Sequence, residues 1–201
     1  MPDAITPEQF RLFIAIDVPL AVKIEMAKAQ NELRCALPRG CARWTKPEQF
    51  HLTLKFLGSV EPQRVEALAG AIRAACEGFT ALRLRAERLG CFPGLRSPRV
   101  IWAWVHDGQE QLPRLQRAID TATRDFTIEA PEETFTGHVT LGRTRGIKRR
   151  EAGVLAKAVT GMVERVFGEW TADQIEIMRS EMSPKGTLHS VLETVPLTVL
   201  S

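Results

Sequence analysis

Apolar residues run unbroken from Leu12 to Ile16, between Arg11 and Asp17, and Val18-Pro19 closes the run. A continuous apolar stretch of this length with a proline stop predicts a buried strand. Residues 20–36 are rich in Ala, Glu, Lys and Met and predict a helix, ended by Pro38 and Gly40. Polar and apolar positions then alternate over 51–57, which predicts a strand stopped by Gly58. Val65, Leu68, Ala69, Ile72, Cys76 and Phe79 keep helical spacing. Leu82, Leu84 and Ala86 alternate with Arg83, Arg85 and Glu87, the pattern of a half-exposed strand. Cys91 to Arg99 holds Pro93, Gly94 and Pro98 and reads as a loop.

The order then repeats. Val100 to Val105 predicts a strand, and Leu112, Leu115, Ile119, Ala122 and Phe126 mark an amphipathic helix. His138 to Leu141 lies on a strand. Val154, Leu155, Ala158, Val159, Met162, Val163 and Val166 mark a further helix, and 173–179 and 189–195 read as strands. Each half is strand, helix, strand, helix, strand. This predicts a single bilobal domain built from two repeats, roughly 11–90 and 99–197, related by an approximate twofold axis.

The repeat carries a matched motif. His51-Leu52-Thr53-Leu54 recurs 87 residues later (138 − 51) as His138-Val139-Thr140-Leu141. Side chains alternate across a strand, so each His shares a face with its Thr while the apolar partners bury on the other. Across a twofold axis, two imidazoles and two hydroxyls would converge on one small anionic group. A lone histidine on such a strand is most simply a buried structural residue. Two of only four histidines in the same pattern make a site the better reading.

Composition narrows the classes. The chain has 201 residues, 44% hydrophobic and 25% charged, as in ordinary globular proteins. Its net charge of +3 allows an anionic partner without a strongly basic duplex-binding face. The N-terminus lacks the pattern of a signal peptide and no apolar run is long enough to span a membrane, so a cytoplasmic protein is expected. Cys35, Cys41, Cys76 and Cys91 form no C-x-x-C pair and read as reduced thiols. A zinc deaminase, a P-loop nucleotide site and a Gly-x-Ser-x-Gly hydrolase all lack their motifs here. Neither tetrad has the clustered carboxylates of a two-metal phosphodiesterase.

RLFIAIDVP at 11–19, HLTLKFLG at 51–58, FPGLRSPRVIWAWV at 92–105, HVTLGR at 138–143 and SEMSPKGTLHSVLETVPL at 180–197 resemble the 2H phosphoesterases. Within them the chain is similar to the bacterial and archaeal RNA 2′,3′-cyclic phosphodiesterases, also called 2′-5′ RNA ligases. The resemblance implies a bilobal α+β fold, with two mainly antiparallel sheets flanking a central cleft and helices outside. It implies hydrolysis of a 2′,3′-cyclic phosphate at an RNA end to a 2′-phosphomonoester, with neither metal nor nucleotide cofactor; a monomer is expected. Two positions depart from the family: Gly137 stands where Pro is usual, and His189 where Tyr is usual. Gly137 is expected to loosen the approach to His138, and His189 to alter contacts at the rim.

Opening a cyclic phosphodiester with water needs one group to take a proton from water and another to protonate the leaving ribose oxygen. Paired imidazoles suit both tasks near neutrality. By analogy with the family, His51 is the proton donor and His138 the acceptor; symmetry alone leaves that direction open. Thr53 and Thr140 would donate to the nonbridging oxygens. Arg143 is a candidate phosphate contact, although strict alternation puts it on the face opposite His138. Trp44 and Phe56 are candidates to stack on a base, with core packing the more natural place for Phe56 and the rim for Trp44. His189 is a candidate contact in the cleft, and His106 a residue at a strand end. Arg145, Lys148, Arg149 and Arg150 read as a solvated basic run. Two alternatives stand beside RNA-end hydrolysis. One is the same chemistry on small cyclic nucleotides or an ADP-ribose cyclic phosphate. The other is a noncatalytic RNA-end-binding module. Ligation of 2′,5′ ends is the reverse of the same reaction class.

Overall fold

A computed structural model describes residues 9–128, 134–184 and 186–198. Residues 1–8, on which the reading of the N-terminus rests, and Lys185 within the C-terminal motif lie outside them. The predicted Leu12–Ile16 run forms β1 (Phe10–Asp17), buried on both faces from Leu12 to Ile16. Helix α1 (Leu20–Ala36) follows, then the short β2 (Ala42–Trp44) and β3 (His51–Val60). Helix α2 (Val65–Cys76) and β4 (Leu82–Phe92) complete the first repeat. The second runs β5 (Val100–Asp107), α3 (Gln111–Ala122), β6 (His138–Thr144) and α4 (Arg149–Thr160). It ends in β7 (Val166–Ala172), β8 (Gln174–Ser183) and β9 (Gly186–Pro196).

The strands pair antiparallel in the order β7-β4-β5-β6-β3-β1-β8-β9, with β2 added on β6. The order is a palindrome in the repeat: β6-β5-β4 on one side answers β3-β1-β8 on the other. The two halves meet at one residue pair, Leu52 with Val139, the matched apolar positions of the two tetrads. The approximate twofold axis therefore passes between the motifs.

The repeats 11–90 and 99–197 exchange strands. β4 of the first repeat pairs with β5 and β7, while β8 pairs with β1. Helix α1 likewise packs on β7 and α4, and α3 on α2 and β3. Alternation along a strand reports which faces are buried but not which neighbour buries them, so the exchange left no local mark. Gly58, expected to stop β3, does not. It lies within the strand at φ 71°, beside an irregularity where Leu57 has no partner on β1. Sequence periodicity also missed β2 and β7: Val166, counted as helical, opens β7 and is 44% exposed. Cys91 and Phe92, counted as loop, end β4.

The core is one continuous cluster between sheet and helices. Each helix gives it a single stripe, such as Leu68, Ala69, Ile72 and Cys76 on α2. All four cysteines are free thiols. No helix among the described residues is long and apolar enough to cross a membrane.

Candidate active site

Leu52, Leu54, Val139 and Leu141 are buried, while His51, Thr53, His138 and Thr140 are half-buried on the other face. That face lines a cleft of about 660 Å³, bounded by His51, Thr53 and Thr140 from the tetrads and by Arg143, Trp44 and Phe56 around them. His189 reaches it from β9. His138 stands beside this cavity rather than in its wall, its ring edge-on to Phe92 at 5.0 Å and 6.5 Å from Trp102. His51 packs on Phe13 at 4.8 Å and on His189 at 5.3 Å.

Each tetrad histidine is held by the backbone two residues earlier. His138 Nδ1–H donates to the Thr136 carbonyl at 2.8 Å, and the Gln49 backbone hydrogen-bonds the His51 ring. A carbonyl only accepts, so neutral His138 carries its proton on Nδ1 and keeps a basic Nε2. Burial pushes both imidazoles below their ordinary 6.5, His51 to about 4, with His189 pushing it the same way and the Gln49 bond opposing. For His138 the Thr136 bond opposes burial and Arg143 adds to it. His189 is also lowered by burial, and its Nδ1 is buried without a partner. The Thr53 and Thr140 hydroxyls have no hydrogen-bond partner among the described residues, which leaves them for a ligand.

Arg143 does reach the cleft, and a β-bulge is the reason. On β6, Thr140 pairs with Trp102 and Gly142 with Ile101, so Leu141 is an extra residue that reverses the alternation after it. The same bulge occurs at the equivalent place in the first repeat: Thr53 pairs with Ala15 and Lys55 with Ile14, leaving Leu54 extra. Lys55 thereby turns to the helix side, where it pairs with Asp120 at 2.8 Å. Phe56 turns into the cleft and is 57% exposed, which corrects its expected place in the core. Arg143 and Phe56 are thus symmetry mates. Trp44 lines the cleft against Gly142, where a Cβ would come within 2.9 Å of its ring.

Gly137 does not loosen the approach to His138. It is buried, its carbonyl accepts from Val105 N–H at 2.9 Å, and a Cβ there would lie 2.3 Å from the Val105 carbonyl oxygen. His106 lies within β5 near its end, stacked on Trp104 at 4.0 Å. Arg145, Lys148, Arg149 and Arg150 are exposed and outside the cleft lining.

Sequence reasoning missed Arg11, Arg43 and Lys46, which with Arg143 are the cations of the cleft wall. Among the described residues, none of the four makes an ion pair or side-chain hydrogen bond and no carboxylate lines the cleft. Nothing in the local pattern separates these from other surface cations. Among the described residues no group of three His, Cys, Asp or Glu side chains is placed to hold a metal ion.

Residues 16–102 match the family described as LigT like Phosphoesterase. A relative from Aeropyrum pernix named RNA 2′,3′-cyclic phosphodiesterase is 30% identical over 148 residues, covering 74% of this chain and 82% of its own. One of the same name from Methanothermobacter thermautotrophicus is 26% identical over 187 residues, 93% of this chain and 98% of its own. Among solved structures, TT0787 of Thermus thermophilus superposes with a TM-score of 0.75 at 28% identity, covering 93% of this chain and 97% of that one. E. coli LigT complexed with 3′-AMP gives 0.74 at 22%, covering 95% and 99%, and shares the fold. With two His-x-Thr strands meeting at a twofold axis in a cleft of this kind, the chain belongs to the LigT-like, or 2H, phosphoesterase family.

Proposed function

We propose that this cleft hydrolyses the 2′,3′-cyclic phosphate at an RNA end to a 2′-phosphomonoester. The observation that carries the reading is the joining of two His-x-Thr pairs at Leu52–Val139, beside a cleft whose charged side chains among the described residues are all cationic. His138 Nε2 takes a proton from water as the water oxygen attacks phosphorus. The bond from phosphorus to the 3′ oxygen breaks on the opposite side, and His51 protonates that oxygen. Thr53 and Thr140 donate to the nonbridging oxygens, and Arg143 contacts the phosphate equally in the ground and transition states. Phe56 and Trp44 offer faces to a terminal base, His189 borders the His51 side, and Arg11 and Arg43 meet upstream phosphates. The reaction uses no metal and no nucleotide cofactor, and 2′-5′ ligation is the parallel step in which an RNA 5′-hydroxyl, in place of water, attacks phosphorus and the 3′ oxygen leaves.

The test is incubation, with and without EDTA, of the protein with a mononucleotide 2′,3′-cyclic phosphate and with an RNA oligomer ending in one. The expected product is a 2′-phosphate in both EDTA conditions, made faster from the oligomer. A 3′-phosphate reverses the bond assignment, and loss of activity in EDTA refutes the metal-free route. Turnover of the mononucleotide alone favours small-molecule hydrolysis, and binding without turnover favours the noncatalytic reading. General acid–base catalysis is worth ~10²–10⁴-fold, so His51→Ala and His138→Ala should each lose about that much. A substrate with an activated leaving group should rescue only His51→Ala, and rescue of His138→Ala would exchange the two roles.

A further inference from the structure

Two helix stripes that are otherwise apolar each contain one buried glutamine. Gln30 lies on α1 among Val22, Met26, Ala29 and Leu33, and Gln116 on α3 among Leu112, Leu115 and Ile119. Burying an amide is unfavourable unless it finds partners. Both find the same kind of atom. Gln30 Nε2 donates to the carbonyl of Leu141 at 2.8 Å, and Gln116 Nε2 to the carbonyl of Leu54 at 3.4 Å. Leu141 and Leu54 are the extra residues of the two bulges, where the strand ladder is broken and a buried carbonyl needs another donor. The arrangement is crossed: a helix of each repeat secures the bulge of the other. Gln30 spends its second proton on the Thr45 carbonyl at 2.7 Å, which ties the cleft rim from Trp44 to Lys46 to the same point.

We propose that Gln30 and Gln116 are positioning residues. They hold the bulges that turn Arg143 and Phe56 into the cleft, and so set substrate affinity from beneath the sheet without touching substrate. The proposal rests on the reading of Arg143 and Phe56 as substrate contacts. Without the amide, the Leu141 carbonyl keeps only the Thr45 N–H at 2.9 Å, and the Thr45 carbonyl loses its side-chain donor. Arg143 is then no longer fixed in direction, whereas the tetrad histidines keep their own backbone bonds to Thr136 and Gln49. The defect should therefore fall on KM rather than kcat.

The test is a double-mutant cycle on a mononucleotide 2′,3′-cyclic phosphate, using Gln30→Met, Arg143→Ala and the pair. Gln30→Met should raise KM about tenfold and change kcat less than about threefold. In the Arg143→Ala background the same substitution should raise KM no more than about twofold, since residues acting through one another are not additive. An unchanged KM in Gln30→Met, or KM effects that multiply, overturns the proposal while Arg143 remains a substrate contact. A normal KM in Arg143→Ala alone overturns instead the reading on which the proposal rests. Should Gln30→Met fail to fold, Gln116→Met with Phe56→Ala runs the same cycle on the other bulge. There too, coupled KM effects support the clamp and multiplying effects refute it.

Discussion

At the scale of single residues, burial sets the charge of the site. His51, His138 and His189 are all held below the ordinary imidazole value, with desolvation the leading cause for each. In the unfolded chain the same rings protonate near 6.5. From there down to about 4, the folded value for His51, the unfolded state binds more protons than the folded one. Stability therefore rises with pH across this window and is lost as pH falls through it. Urea midpoints should drop from pH 7 to pH 5, and His51→Asn should flatten that drop. An identical slope in both proteins would mean that His51 is not desolvated in the fold. In catalysis, both limbs of kcat/KM should lie below 6.5, because this ratio reports the free protein. In kcat, the upper limb should move toward neutrality, since a bound phosphate anion favours protonated His51. Coincident profiles for the two constants would refute that account.

At the scale of the element, the site depends on where strands break their own rule. Each motif strand alternates cleanly for four residues and then bulges, and the bulge brings a third side chain to the cleft face, beside the His and the Thr. The strand before it is fixed just as closely at its start. Gly137 abuts the Val105 carbonyl, so any side chain must displace β5 or the entry to β6. Gly137→Ala should cost about 1–3 kcal/mol, as overpacking in a buried site does. It should also lower kcat, because His138 follows directly. Denaturant unfolding together with turnover checks both, and a variant as stable and active as the parent would show that the contact relaxes freely.

At the scale of the whole molecule, strand exchange makes the two repeats inseparable. A piece ending near residue 95 has β4 without β5 and β7, and β1 without β8. Edge and core faces would both be exposed, so neither residues 1–95 nor 96–201 should fold alone. The two mixed should regain structure and activity. Circular dichroism and turnover of the pieces, separate and combined, decide this, and a cooperative transition in either piece alone would contradict it. The intact chain should unfold in one step, since its core is a single cluster.

The sequence by itself determined the elements with strong periodicity and the chemistry of the motif. The helix at 20–36, the buried run at 12–16 and the paired tetrads are legible because burial of a stripe or a face imposes a period on neighbouring residues. The facing of His51 with Thr53 and of His138 with Thr140 follows from the same rule and holds. Three things were decided only by tertiary structure. Strand partners were, because pairing joins residues far apart and a strand's composition does not name its neighbour. The faces of Arg143 and Phe56 were, because one unpaired residue reverses parity without changing composition. The cationic wall was, because Arg11, Arg43 and Lys46 come from separate elements, and only the folding of β1 and β2 beside the motif strands sets their charges around one space.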